Sequence, residues 1–121
     1  MLNCSDIIMC KREKQMIMAT IRMIADSGNI DEVIEILSSV KRQTEGKSDC
    51  ISCLIHQEVN SENHITYKEI WENQEQLNKH IRSNLYQKIL ITIDMSSQAP
   101  VIQFFTISHI AGIELIETAL E

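Results

Sequence analysis

Between Glu69 and His80 the chain reads Glu69-x-Trp71-x-Asn73-x-Glu75-x-Leu77-x-x-His80, with Tyr86 six residues further on. An imidazole, a carboxylate and two aromatic rings in one short stretch are the materials of proton-transfer chemistry: a base, a group to orient it, and walls for a flat substrate. The alternation of Ile65, Tyr67, Glu69 and Trp71 marks a strand. It stops at Asn73, a good helix N-cap, and gives way to the helical spacing of Leu77, His80, Ile81 and Leu85. The pattern therefore sets a strand-ending Trp71 beside a helix-borne His80. His80 is the candidate catalytic base, and Trp71, Tyr86 and Glu69 are the candidate substrate-binding residues. Each has a plainer alternative. His80 would be a core histidine bonded to a carbonyl or to Glu69, Trp71 a core anchor under a helix, and Tyr67 and Tyr86 packing residues with bonded hydroxyls. Glu69 shares a strand face with Trp71, where an unpaired carboxylate is costly to bury, so it should orient His80 or pair with Arg22.

The elements that must position these residues follow from periodicity. Met16 to Ala25 alternates as a first strand, and Ser27-Gly28 breaks it. Asn29 with Glu32 resembles a capping box ahead of the amphipathic series Ile30, Val33, Ile34, Leu37 and Val40, a helix reaching about Gln43, with Gly46 as a stop. Strands are predicted over about Cys50 to Val59 and His64 to Trp71, joined by a polar turn at Asn60 to Asn63. Helical spacing resumes at Ser83 through Tyr86, Ile89, Leu90 and Ile93 and is expected to end at Pro100. A last strand spans about Val101 to His109, and Ile113, Ile116 and Leu120 suggest a tail helix beyond Gly112. The order strand-helix-strand-strand-helix-strand is the ferredoxin-like split βαβ arrangement, an α+β fold whose four-stranded antiparallel sheet carries helices on one face. Large apolar residues on both faces of the first and last strands, among them Met16, Met18, Ile24, Phe104 and Phe105, predict a homodimer made sheet against sheet.

Composition bounds the rest. A chain of 121 residues fits one domain burying roughly two-thirds of its unfolded surface, here residues 15–121 behind a polar extension at 1–14, with a tail from about residue 110. A formal charge of −6 with scattered basic residues argues against nucleic acid and anionic membrane partners. No apolar run approaches transmembrane length and the N-terminus lacks the order of a secretory signal, so the default address is cytoplasmic. Cys4, Cys10, Cys50 and Cys53 are expected to be reduced. Cys50-x-x-Cys53 sits in a strand pattern, where residues three apart face opposite ways, so a redox or metal role is not expected of it. His56, His64 and His109 default to the surface. With Gly28, Gly46 and Gly112 far apart and no closely spaced histidine pair, neither a nucleotide cofactor nor a metal is indicated.

From about Gln15 to His109 the chain resembles the antibiotic biosynthesis monooxygenase family of dimeric α/β barrels. Glu69-Ile70-Trp71-Glu72-Asn73, Leu77-Asn78-Lys79-His80 and Ser83-Asn84-Leu85-Tyr86 carry the resemblance, with weaker support from Ile30-Asp31-Glu32-Val33 and Cys50. It implies one of several chemistries on one scaffold: oxygenation of quinols or polyketide aromatics without metal or flavin, haem breakdown, or isomerisation of a sugar phosphate. Haem-degrading relatives place Asn, Trp and a ligating His where this chain has Ile21, His80 and Leu90, which argues against that activity. A sugar-phosphate pocket would need clustered cations, and only Arg22, Lys79, Arg82 and Lys88 are available. The expectation is a cofactor-independent monooxygenase acting on a small hydrophobic, aromatic or quinol-type substrate. A phenol reacts with oxygen readily only once deprotonated, and a histidine base in a dry pocket supplies that step. The alternative of different class is a non-catalytic dimeric module that binds a small ligand or a protein in the same pocket.

Overall fold

The computed structural model describes residues 15–121; the extension at 1–14, with Cys4 and Cys10, lies outside the described residues. The elements are β1 (Met16–Ile24), α1 (Ile30–Glu45), β2 (Cys50–Glu58), β3 (Ser61–Trp71), α2 (Gln74–Ile81), α3 (Tyr86–Asp94), β4 (Val101–Ile107) and α4 (Ile113–Ala119). The strands form one antiparallel sheet in the order β2-β3-β1-β4, the expected α+β ferredoxin-like topology.

Alternation on β1 decides which face is covered. Ile17, Ala19, Ile21 and Met23 are buried under the helices, while Met16, Met18, Thr20 and Arg22 lie on the open face. On α1 the stripe Val33, Leu37, Val40 and Thr44 is buried against the sheet, and α1 packs on β2 and α3 while α2 packs on β1 and β3. One core joins Ile21, Met23, Leu37, Ile65, Tyr67 and Ile89, and a smaller cluster of Ile17, Trp71 and Leu77 sits under α2. No helix among the described residues is long and apolar enough to cross a membrane.

Local details depart from the sequence reading in four places. Asn29 does not cap α1: its φ of −112° and ψ of −10° are helical and its side chain makes no capping bond, because the chain enters through a backbone turn onto the Asp26 carbonyl. The β2–β3 hairpin is tighter than a turn over Asn60 to Asn63 would make it, and β3 begins at Ser61. Asn60 itself adopts φ 67°, a left-handed conformation that asparagine tolerates. α3 ends at Asp94 with Met95 as its cap, well before Pro100. The fourth departure concerns the cysteines. A bulge between Cys50 and Ser52 sets Cys50 opposite Trp71 and Cys53 opposite Glu69, so both thiols face the helices where regular alternation would separate them.

The edge strand β4 differs from its neighbours. Its residues Ile102 and Phe104 oppose Ile21 and Ala19 on the helix-side face, yet they are 43% and 50% exposed because the helices stop short of this edge. Phe105 and Val101 on the open face are also exposed. In α4 the residues Ile113, Leu115, Ile116 and Leu120 gather on one side, opposite Glu114, Glu117 and Glu121, and that apolar side is uncovered.

Candidate functional site

The site is built on the helix-covered face of β3. Tyr67, Glu69 and Trp71 occupy alternate positions, so their side chains project the same way, into the space under α2. Ala19 on β1 and Cys53 on β2 stand opposite Glu69. Two small neighbours leave room beside the carboxylate. The Asn73 side chain accepts from the Gln76 amide at 2.9 Å and starts α2 at a fixed angle. His80 then comes one face down from Leu77, at the end of the helix, and Ser83 closes that end by donating to the His80 carbonyl at 2.6 Å.

These elements bring three donors onto one carboxylate. Glu69 Oε1 accepts the indole N–H of Trp71 at 2.9 Å. Its Oε2 accepts both from the Tyr67 hydroxyl and from His80 Nε2, the latter at 2.8 Å. Cys53 Sγ lies 3.2 Å from the Tyr67 oxygen and donates to it. Glu69 is 2% exposed and His80 1%, so the carboxylate is removed from water with its acceptor capacity filled by protein donors. Burial, and then the nearby Glu69 charge, drive the Tyr67 phenol far above its ordinary range; it stays protonated and remains a donor.

The other ring nitrogen of His80, also buried, points toward the loop between α1 and β2. Lys47, in the loop between α1 and β2, places Nζ 3.0 Å from His80 Nδ1. An ammonium can only donate, so Nδ1 accepts, and the hydrogen on Nε2 goes to Glu69. Both contacts are satisfied together by the neutral imidazole with its proton on Nε2. A chain therefore runs from Glu69 through His80 to Lys47, with an imidazole lone pair at its outer end. That end forms part of a crevice of about 330 Å³ whose walls include Lys47, Ser48, Asp49, Trp71, Gln76 and Lys79.

The four residues singled out in the sequence do meet. The Trp71 and His80 rings lie 4.7 Å apart, tilted by 36°, and Tyr86 meets His80 edge-on at 5.3 Å. Both aromatic rings thus pack against the imidazole itself. Trp71 also reaches the crevice, whereas Tyr86 is not one of its walls; burial and the Glu69 charge push the Tyr86 phenol up to about 12. Glu69 pairs with His80 and not with Arg22, which sits on the open face of the sheet. Lys79 joins the crevice wall, and Arg22 lines a separate crevice of about 360 Å³ at the far end of the sheet, with His56, His64 and Gln98. His64, a surface residue by default, is instead half-buried, and its enclosed Nδ1 has no hydrogen-bond partner among the described residues.

Tyr67 is the buried packing residue with a bonded hydroxyl that the sequence suggests, and its acceptor is Glu69, two residues on along the same strand face. Lys47 is the participant that sequence reading missed. It carries no local signal: it is thirty-three positions from His80 and reaches it only because its loop is pinned at both ends, by Lys47 N to the Thr44 carbonyl and Cys50 N to the Lys47 carbonyl. Burial raises the Cys50 thiol to about 11 and the Cys53 thiol to about 12, the direction opposite to that of a reactive thiolate. Among the described residues no group of three or more His, Cys, Asp or Glu is arranged to hold a metal ion.

Solved structures share this architecture at low sequence identity. A putative antibiotic biosynthesis monooxygenase from Deinococcus radiodurans superposes with a TM-score of 0.72 at 14% identity, covering 80% of this chain and 97% of its own. A protein of unknown function from Bacteroides thetaiotaomicron, described as a possible oxidoreductase, gives 0.71 at 17%, covering 78% of this chain and 99% of its own. A conserved protein from Methanosarcina mazei gives 0.70 at 18%, covering 80% and 97%. At such identities they establish the fold alone. No curated protein matches the chain. The family model for antibiotic biosynthesis monooxygenases matches residues 16–90, more than half of the sequence and the whole of the segment that builds the Glu69–His80 pair, and the chain belongs to that family.

Proposed function

We propose that this protein is a cofactor-independent monooxygenase of a small aromatic or quinol-type substrate, with His80 as the general base. The observation that carries the reading is the Glu69–His80 pair, 2.8 Å apart and buried. The carboxylate fixes the tautomer and stabilises the imidazolium formed when Nδ1 takes a proton, so the ring is oriented to act as a base toward the crevice. Trp71 supplies one wall of that crevice. The anion of a phenol or of an activated methylene gives up electrons far more readily than its conjugate acid. In an anthrone-type substrate the methylene then supplies all four electrons that O₂ accepts: the CH₂ carbon loses two hydrogens and becomes a carbonyl, one oxygen atom entering the product and the other leaving as water with those hydrogens.

The test is oxygen uptake with a panel of hydroquinones and anthrones in metal-free buffer, comparing wild type with His80→Gln, whose amide can still donate to Glu69. Loss of turnover by ~10²–10⁴-fold is expected, with the fold unchanged by circular dichroism. Equal turnover on a substrate the protein demonstrably oxidises would end the base assignment.

A second reading, a non-catalytic ligand-binding module, is favoured by one observation: Tyr67, Glu69, Trp71 and His80 are each 2% exposed or less and satisfy one another, as a packed polar core would. Under that reading His80→Gln changes stability and no substrate is turned over by either form. Both readings include a homodimer. Apolar residues on the open face of the sheet, including Met18, Ile70 and Phe105, and the uncovered β4 support it, since a monomer would expose them to water.

A further inference from the structure

We propose that Lys47 is the anion-holding residue of this site, and that the substrate group it takes is an acidic O–H, phenolic or enolic, seated between His80 Nδ1 and Lys47 Nζ. The inference rests on the proposed role of His80 and adds to it a substrate class and a second residue. In the structure the two atoms are 3.0 Å apart, and among the described residues the ammonium is the one group that holds the base's lone pair. An O–H entering at this point meets both needs of its own ionisation. The O–H bond breaks, the proton passes to Nδ1, the electron pair stays on oxygen, and Lys47 keeps its three protons and pairs with the new oxyanion. The imidazolium left behind is stabilised by Glu69 on its far side. Charge is thus arranged as carboxylate, imidazolium, oxyanion and ammonium in alternation, the order that opposes no like charges.

The geometry supports the exchange. The Lys47 backbone is anchored on both sides by hydrogen bonds to Thr44 and Cys50, whereas its four-carbon stem is free to swing aside and follow the oxygen. The crevice it shares with Trp71 measures about 330 Å³, at the small end of the range for ligand sites, roughly 300–1,000 Å³, which suits one or two rings better than an extended polycycle. Its remaining walls are polar. Ser48, Asp49, Gln76 and Lys79 call for a second oxygen on the substrate, as in a hydroquinone, a catechol or an enediol, with Trp71 against the ring.

A binding experiment separates this proposal from the oxygenase reading. With 4-nitrophenol as the probe, whose anion absorbs in the visible, wild-type protein is expected to bind the phenolate and to raise the ionised fraction at a pH where the free probe is largely protonated. Lys47→Met is expected to weaken phenolate binding roughly ten- to hundredfold, the loss of one charge-assisted hydrogen bond. Lys47→Arg should restore part of it, and Lys88→Met, on the exposed side of α3, should change nothing. Phenolate binding by Lys47→Met as tight as by wild type, or no ionisation of the probe by wild type, overturns the proposal. If phenolate binding depends on Lys47 but no hydroquinone consumes oxygen, the anion site stands and the oxygenase reading falls. If hydroquinones are oxidised equally by wild type and Lys47→Met, the oxygenase reading stands and Lys47 is excluded.

Discussion

The two halves of the sheet treat polarity in opposite ways. Under the helices, where a core is normally apolar, β3 buries a carboxylate, an imidazole, an indole and a phenol. At the far edge, where a strand normally meets water with polar side chains, β4 exposes Val101, Ile102, Phe104 and Phe105, and the α4 helix beyond it exposes Ile113, Leu115 and Ile116. Burying a polar group is tolerated only when its partners are complete, and the bonds to Glu69 are complete within one chain. Exposing an apolar strand is tolerated only when something covers it, and none of the described residues covers it. The first region is thus finished within one protomer; the second is left open to water among the described residues, and a second copy is its proposed occupant.

The largest effect expected from breaking the finished region comes from Trp71→Ala. It removes a fully buried indole, one donor to Glu69 and the face on which His80 rests, at a cost of ~3–5 kcal/mol. A lowered urea midpoint with an unchanged slope is the expected signature. For any substrate found, KM should also rise, because the same ring walls the crevice. A change below about 1 kcal/mol would mean that the ring packs more loosely than its burial indicates.

The uncovered region is broken differently. Phe105→Glu lies 40% exposed on the open face of an edge strand, so it should leave the protomer folded while raising the dimer dissociation constant at least about tenfold, an interfacial charge lacking a partner. Light scattering at micromolar concentration checks both halves: wild type at twice the protomer mass, the variant shifted toward one. A wild-type protein of protomer mass would refute the sheet-to-sheet dimer and leave β4 to another occupant.

How far each region was legible in the sequence follows from the range of the signals. Strand alternation placed Tyr67, Glu69 and Trp71 on one face, and the Asn73 cap with Leu77 and His80 set the helix that answers them, because these are local patterns with periods of two and about three and a half. Asn29 and the Asn60 turn were misread because a capping box and a tight hairpin look alike in composition to their alternatives; backbone geometry decides between them. Neither the Cys50–Ser52 bulge nor the Lys47 contact was readable. A bulge inserts one residue without a compositional mark, and Lys47 depends on where α1 ends relative to the end of β3, a long-range fact tied by the Glu72 amide to the Asp49 carbonyl.

The smallest effect sharpens the picture of the finished region and concerns its thiols. Cys50 and Cys53 share the helix-side face of β2, where burial, acting ahead of the Glu69 charge, raises them from an ordinary 9.0 to about 11 and about 12. A group whose pKa is higher in the folded chain holds its proton after the unfolded chain has released its own. Between pH 9 and about 11 the native state therefore binds more protons than the unfolded state, and stability falls as pH rises. The contribution is intact below pH 9 and lost progressively above it, in the same direction as that of Tyr86, which rises from 10.0 to about 12. Melting temperature should accordingly decline through this alkaline window, and Cys53→Ala should flatten part of the decline, since one of the titrating groups is gone. The same burial makes both thiols slow to alkylate in the native protein at neutral pH and reactive on unfolding, a contrast that iodoacetamide labelling followed by intact mass measures directly. Rapid native labelling of Cys53 at neutral pH would show that the β2 side of the site opens to solvent, and with it the wall that keeps Tyr67 on Glu69.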